Sequence, residues 1–472
     1  MNLKNYAFGL FFTITTAAFA QNGYRIEGQI KGLSGGDCIL ANYYAAQIYA
    51  KDTAKADANG RFVFQKDKPL PGGIYELVLP NRRTLYRLLI SDDQEFSITA
   101  DTTDVVGSVR IKGSKDNEIF YDFQQFMKSK EDEYQRLKAQ NVPESDKRFK
   151  DIQDQRKAYY DNFMKQNDGS FTVKIMKTAA DPELPPAPKQ PNGKEDSTWL
   201  FNYYKAHFWD NFDFADTRML QTPFFHQKLE RYIKELTVQV EDSIVKEADF
   251  IVGRAIAGKQ KDVISYAIYY ITNQYEMPKV VGTDGVFIHM AEKYYLTGIM
   301  PVSDSSTVKA ISDRVKVLKP LLINKVIPDL GVMSYRTADR LDYIHGIKAD
   351  YTVVFFYSPT CGHCRESAPK LKAFHDKFKA QGAEVMTIAT EGTEAEWRKF
   401  VKEFQLENLV NGFGAVVSRQ VTYRTDYDVF STPTIYILDK NKKIIARRIG
   451  VEDLEPFLNM HKKRVSAVGS KQ

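Results

Sequence analysis

The segment Val353 to Leu371, VVFFYSPTCGHCRESAPKL, decides how this chain is read. It carries two of the three cysteines of the chain, Cys361 and Cys364, between two runs of different period. Tyr351 to Tyr357 is apolar apart from Thr352, as expected for a strand buried on both faces. From Cys361 to Lys379, Leu371, Phe374 and Phe378 fall on one side of a helix. Cys361 is thus predicted in a first helical turn, where free backbone N–H groups and the helix dipole favour a thiolate. His363, between the cysteines, can further favour the anion as an imidazolium or an N–H donor. The thiolate is the attacking species in disulfide exchange, and Cys364 is placed one turn on to resolve a mixed disulfide.

Each other use of such a pair fails on a particular residue. A structural zinc site needs about four ligands, usually from two pairs, and there is no second Cys pair. A haem anchor needs His directly after the second cysteine, where Arg365 stands. A peroxidatic Pro-x-x-x-Thr-x-x-Cys pattern would need Pro and Thr at the positions of Val354 and Ser358. Two incidental thiols do not ordinarily bracket Gly-His at such a junction. The third cysteine, Cys38, lies in an apolar run with Ile39 and Leu40 and is expected to be buried and inert.

Working outward, residues 323–465 read as an α/β domain. Short strands are expected at Gly331 to Tyr335, Glu384 to Ala389, Thr434 to Leu438 and Lys443 to Ile449. Helices are expected at Ala338 to Ile344, Glu394 to Phe404 and Leu454 to His461, followed by a tail at 466–472. The βαβ units call for parallel strands, and the final hairpin adds an antiparallel edge. Residues 21–115 read as an all-β sandwich. Tyr24, Ile26, Gly28 and Ile30 alternate with polar residues, and short strands are separated by Gly, Asn and Asp turns. Residues 116–322 form an α-helical domain by period, interrupted by a proline-rich loop at 181–193. The aromatic-rich stretch around His207, Trp209 and Asp213 shows no metal-ligand spacing and reads as core.

The chain has 472 residues, 43% hydrophobic and 27% charged, with a net charge of +6 spread without a basic block. That balance suits globular domains and argues against nucleic acid as a partner. Residues 1–20 read as a secretory signal peptide: Lys4, an apolar run from Tyr6 to Phe19, and a small-x-small pattern at Ala18-Phe19-Ala20. Cleavage there leaves Gln21 first, and the mature protein is expected to be exported, to the periplasm of a Gram-negative source. No metal and no cofactor are expected.

The segments FFYSPTCGHCRESAPKL and YDVFSTPTIYILDKNKKII resemble the active-site and cis-proline segments of the TlpA/ResA-like thioredoxin-fold proteins, thiol:disulfide interchange proteins of a multidomain form exported by Bacteroidetes. Pro369 matches that family's helix proline. The resemblance implies a thioredoxin fold for 323–465, a redox-active Cys361–Cys364 pair, and a cis Thr432–Pro433 peptide facing it. Thr432 and Pro433 would then form the substrate-binding edge. The resemblance also implies exported protein thiols and disulfides as substrates and a membrane electron donor as partner. The Cys-Gly-His-Cys core is similar to that of protein disulfide isomerase, which points to a more oxidising couple. Reductase and isomerase therefore both stand. Phe355 and Thr360 occupy positions where many thioredoxins have a buried Asp and an aromatic, so the proton acceptor for Cys364 is unassigned; Glu366, Glu391 and Glu394 are the nearby carboxylates in sequence. DANGRFVF and IKGSKDN resemble a β-rich domain of unknown function, and YKAHFWDNFDFADTRMLQTP a second uncharacterised domain. The competing reading is an extracytoplasmic binding or scaffold protein with a thioredoxin-like docking domain.

Overall fold

The computed structural model describes residues 23–82, 85–301, 304–337, 339–414 and 423–469. The expected signal peptide and Gln21 lie outside the described residues. The chain divides into two compact units, 1–232 and 233–472.

The first unit opens with strands β1 (Tyr24–Lys31), β2 (Gly36–Tyr44), β3 (Gln47–Ala56), β4 (Arg61–Lys66), β5 (Gly73–Val78), β6 (Leu85–Ile90), β7 (Glu95–Asp101) and β8 (Arg110–Lys112). They form two four-stranded sheets, ordered β4-β1-β7-β8 and β3-β2-β5-β6. Along β1 every second residue is buried, the period-2 pattern of a sheet with one wet face. Cys38 on β2 is fully buried in the shared core, as expected, and burial pushes its thiol up to about 11.

Helices α1 (Lys115–Ala139), α2 (Lys147–Gln166), α3 (Phe171–Ala179) and α4 (Ser197–His207) follow. The buried Asn117 of α1 joins helix to sheet. Its side-chain amide donates to the Leu89 carbonyl and its oxygen accepts from the Leu89 N–H, both at 2.7 Å. This satisfies backbone groups of β6 that an edge strand otherwise leaves unpaired. Residues 181–188 form neither helix nor strand. Phe208, Trp209, Phe212 and Phe214 are buried and Trp209 packs against Phe212 and Phe214, so this part of the aromatic stretch is core, whereas α4 before it buries no residue and His207 pairs with the exposed Asp210 at 2.6 Å. Helix α5 (Phe224–Lys234) spans the boundary between the units.

The second unit contains α6 (Glu241–Ala257), α7 (Lys261–Glu276), α8 (Gly285–Met290) and α9 (Ser305–Leu318), then an α/β region. That region comprises β9 (Gly331–Ser334), β10 (Leu341–Tyr343), β11 (Tyr351–Tyr357), α10 (Gly362–Phe378), β12 (Ala383–Ala389), α11 (Glu394–Glu403), β13 (Val410–Phe413), α12 (Tyr423–Asp426), β14 (Thr434–Asp439), β15 (Ile444–Arg447) and α13 (Leu454–Gly469). The seven strands lie in the order β10-β9-β13-β12-β11-β14-β15. β11, β12 and β13 are mutually parallel, and β14 and β15 close the sheet antiparallel. The expected fold class holds: β-sheets, a helical middle and a thioredoxin-like α/β region. β11 is central and buried on both faces. Val353, Phe355 and Tyr357 pack under α10, α11 and α13, whereas Val354 and Phe356 enter the core on the opposite face. Among the described residues no helix is long and apolar enough to cross a membrane.

Three local expectations are corrected. Residues 341–343, within the helix expected at Ala338 to Ile344, form a strand that pairs antiparallel with β9. Strand β13 falls where no strand is expected, and it carries Asn411-Gly412, a pair common in turns. In the sheet, a Cβ on Gly412 would lie 2.2 Å from a Val332 methyl, so close strand approach needs glycine there. The last helix runs to Gly469, past His461.

Candidate active site

Cys361 is the N-cap residue of α10, with extended backbone (φ −73°, ψ 122°), and its N–H donates to the Ser358 carbonyl at 3.1 Å. β11 ends four residues earlier, at Tyr357, and Ser358-Pro359-Thr360 turn the chain into the helix. The rigid central strand thus delivers Cys361 to a helix N-terminus. Pro369 lies inside α10.

The two thiols have different surroundings. Cys361 is partly exposed, Cys364 fully buried, and both are free. Partial burial of Cys361 works against its thiolate, but is outweighed by the Cys364 thiol, the N–H groups of Cys364 and His363, and Thr432; the net effect is a thiol held below the ordinary range. Burial, together with the nearby Cys361 sulfur, pushes Cys364 up to about 12.

Thr432 comes from the turn before β14. The Cys361 thiol donates to its carbonyl oxygen at 3.3 Å, and the Thr432–Pro433 peptide is cis. The structure therefore brings together Cys361, Cys364 and the Thr432–Pro433 turn. It does not bring in the His363 ring, whose side chain is 85% exposed with Nδ1 3.5 Å from Glu366. The part of His363 that faces the sulfur is its backbone N–H. Glu366, Glu391 and Glu394 are all exposed, whereas Cys364 is sealed in the core.

Tyr357 was not singled out from sequence. Its fully buried hydroxyl lies close enough to Cys364 to feel its charge, and burial holds the phenol neutral. Only the alternation along β11, which turns Tyr357 to the same face as Cys364, could have suggested it.

Comparisons with known proteins agree with this geometry. Residues 325–447 match the AhpC/TSA family. Residues 24–120 match a domain of unknown function (DUF4369), and residues 134–317 another (DUF5106). The thiol-disulfide oxidoreductase ResA of Bacillus cereus is 26% identical over 106 residues, 22% of this chain and 58% of that protein. The ResA of Geobacillus kaustophilus is 28% identical over the same length. The chain thus spans 58% of the length of these curated relatives. A solved domain of a possible thiol-disulfide isomerase from Cytophaga hutchinsonii is 34% identical, covering 31% of this chain and 98% of that one, at a TM-score of 0.29. A thioredoxin-like protein from Bacteroides caccae is 20% identical, covering 60% of this chain and all of that one (100%), at a TM-score of 0.46. With a matching AhpC/TSA family model, ResA relatives and a dithiol at the head of α10, the C-terminal region is a thioredoxin-like domain similar to the TlpA/ResA-like thiol:disulfide proteins, and two domains of unknown function precede it.

Proposed function

We propose that this chain is an exported thiol–disulfide oxidoreductase, a reductase or isomerase, acting on extracytoplasmic proteins through Cys361 and Cys364. The observation that carries the reading is the asymmetry of the pair: a partly exposed thiol that favours its anion beside a buried one that does not. The Cys361 thiolate attacks one sulfur of a substrate disulfide. A Cys361–substrate disulfide forms, and the other substrate sulfur leaves as a thiolate and takes up a proton. Cys364 then loses its proton, and its thiolate attacks Cys361. The second substrate sulfur leaves as a thiolate and takes up, through solvent, the proton Cys364 released, and the Cys361–Cys364 disulfide holds the oxidised pair. Two electrons have passed to the substrate, and a membrane electron donor returns them in the reductase reading. In the isomerase reading another substrate thiolate attacks the substrate sulfur of the mixed disulfide before Cys364 acts; a rearranged substrate disulfide forms and Cys361 leaves as a thiolate. Beside the sulfur, the Thr432 backbone offers a strand-like edge to an extended peptide.

Export rests on the leader-like pattern at Lys4 to Ala20. Amino-terminal sequencing of the protein from the cell envelope should begin at Gln21; a chain retaining Lys4 would argue against cleavage.

The test of function is trapping. In Cys364→Ser, mixed disulfides through Cys361 should accumulate with exported proteins and disappear on reduction. Capture of the same partners with both cysteines replaced would favour the binding or scaffold reading instead.

A further inference from the structure

The Thr432–Pro433 turn follows a segment anchored at Asp428. Asp428 has φ +53°, a left-handed conformation uncommon for a residue with a side chain, and its carboxylate is fully buried. Three guanidinium groups converge on it. Arg447, 3.3 Å away, and Arg448 come from the end of β15, within the thioredoxin-like region. Arg314 comes from α9, outside that region, and donates from Nη1 at 2.5 Å. The same Arg314 guanidinium lies 5.4 Å from the ring centroid of Phe430, which is 58% exposed. Arg314 therefore grips the segment at two points, four and two residues before Thr432. A second buried link, Arg447 Nε to Asp284 at 2.5 Å, ties the sheet to the residue that opens α8.

A buried ion cluster is weak support for stability, because desolvating the charges offsets their attraction. Its geometric consequence is firmer: a carboxylate held by three planar forks allows few positions for the chain that carries it. We infer that Arg314 is a positioning residue for the dithiol, holding Asp428 and Phe430 so that Thr432 rests against Cys361 and letting the helical segment set the reactivity of the thioredoxin-like domain. The inference rests on the reading of Cys361 as the attacking thiol. Arg447 and Arg448 would still hold Asp428 without Arg314, so the segment would be loosened rather than released.

The experiment follows iodoacetamide alkylation of Cys361 against pH in the full reduced chain, beside thermal unfolding, for the parent, Arg314→Ala, Arg314→Lys and Phe430→Ala. Arg314→Ala should loosen the Thr432 side chain, whose hydrogen bond favours the Cys361 anion, and so alkylate about three- to tenfold more slowly at neutral pH, with its midpoint moved upward. Arg314→Lys should recover part of the loss, and Phe430→Ala should show a smaller change in the same direction. If Arg314→Ala does not fold, the other two variants carry the same test. Profiles coincident with the parent, with or without a lower melting temperature, overturn the inference and leave the proposed function standing. A parent chain whose Cys361 reacts no faster than an ordinary thiol overturns both.

Discussion

The Cys361 thiol donates to the backbone carbonyl of Thr432 at 3.3 Å, across 71 residues of chain. One contact thus joins the head of α10 to the turn before β14, and it is made by the partly exposed sulfur.

Alkylation should separate the three thiols by pH. Cys361 should react with a midpoint below the roughly 8.5 of a free cysteine. Cys364, pushed up to about 12, and Cys38, pushed up to about 11, should stay protected near neutrality in the folded chain. The signs for stability are opposite. The lowered Cys361 midpoint adds stability to the reduced protein that is present above about pH 8.5 and is lost as pH falls through its folded value. The raised Cys364 midpoint adds stability below about pH 8.5 that is lost as pH climbs through its folded value, about 12. Mass spectrometry of the labelled chain, with chemical denaturation across this range, checks both.

The redox midpoint follows from the same asymmetry. A favoured Cys361 thiolate stabilises the reduced pair relative to an unperturbed dithiol, and the Cys-Gly-His-Cys core is similar to that of the more oxidising protein disulfide isomerase, so the midpoint should lie above about −270 mV. Titration against glutathione or dithiothreitol measures it. A value at or below that mark would make the chain a reductase of thioredoxin's strength.

His363→Ala should change little. The side chain is 85% exposed, and salt and water screen an exposed charge. The backbone N–H groups of residues 363 and 364 survive the substitution. The Cys361 alkylation midpoint should move by less than about half a pH unit. A larger shift, abolished by high salt, would return the imidazole to the role its place in the motif suggested.

Asn117→Ala should destabilise the first unit by about 2–4 kcal/mol, because the N–H and C=O of the buried Leu89 would both lose their partner. Urea denaturation followed by a probe in the β-sandwich measures it. Asn117→Asp keeps the acceptor for the Leu89 N–H and loses the donor to the Leu89 carbonyl and the Ser114 hydroxyl.

Much of the architecture was legible because burial has a period. The alternation in β1, the apolar run of β11 and the one-sided helix α10 each declare what they bury within a few residues of chain. Segments whose conformation is dictated from across the sheet were not legible. Residues 341–343 become a strand because β9 offers its edge. β13 carries an Asn-Gly pair that makes a turn in most settings, yet here Asn411 is buried, donating to the Leu406 carbonyl at 2.7 Å and accepting from Thr387 at 2.7 Å.

The sequence alone determined that a dithiol would stand at a strand-to-helix junction, since that depends only on neighbours along the chain and on the dipole of the helix they begin. Tertiary structure decided which sulfur faces solvent, which groups face the sulfur, and that Arg314 of α9 would hold the turn opposite it. Those outcomes depend on distances between residues far apart in the chain, which local periodicity does not encode.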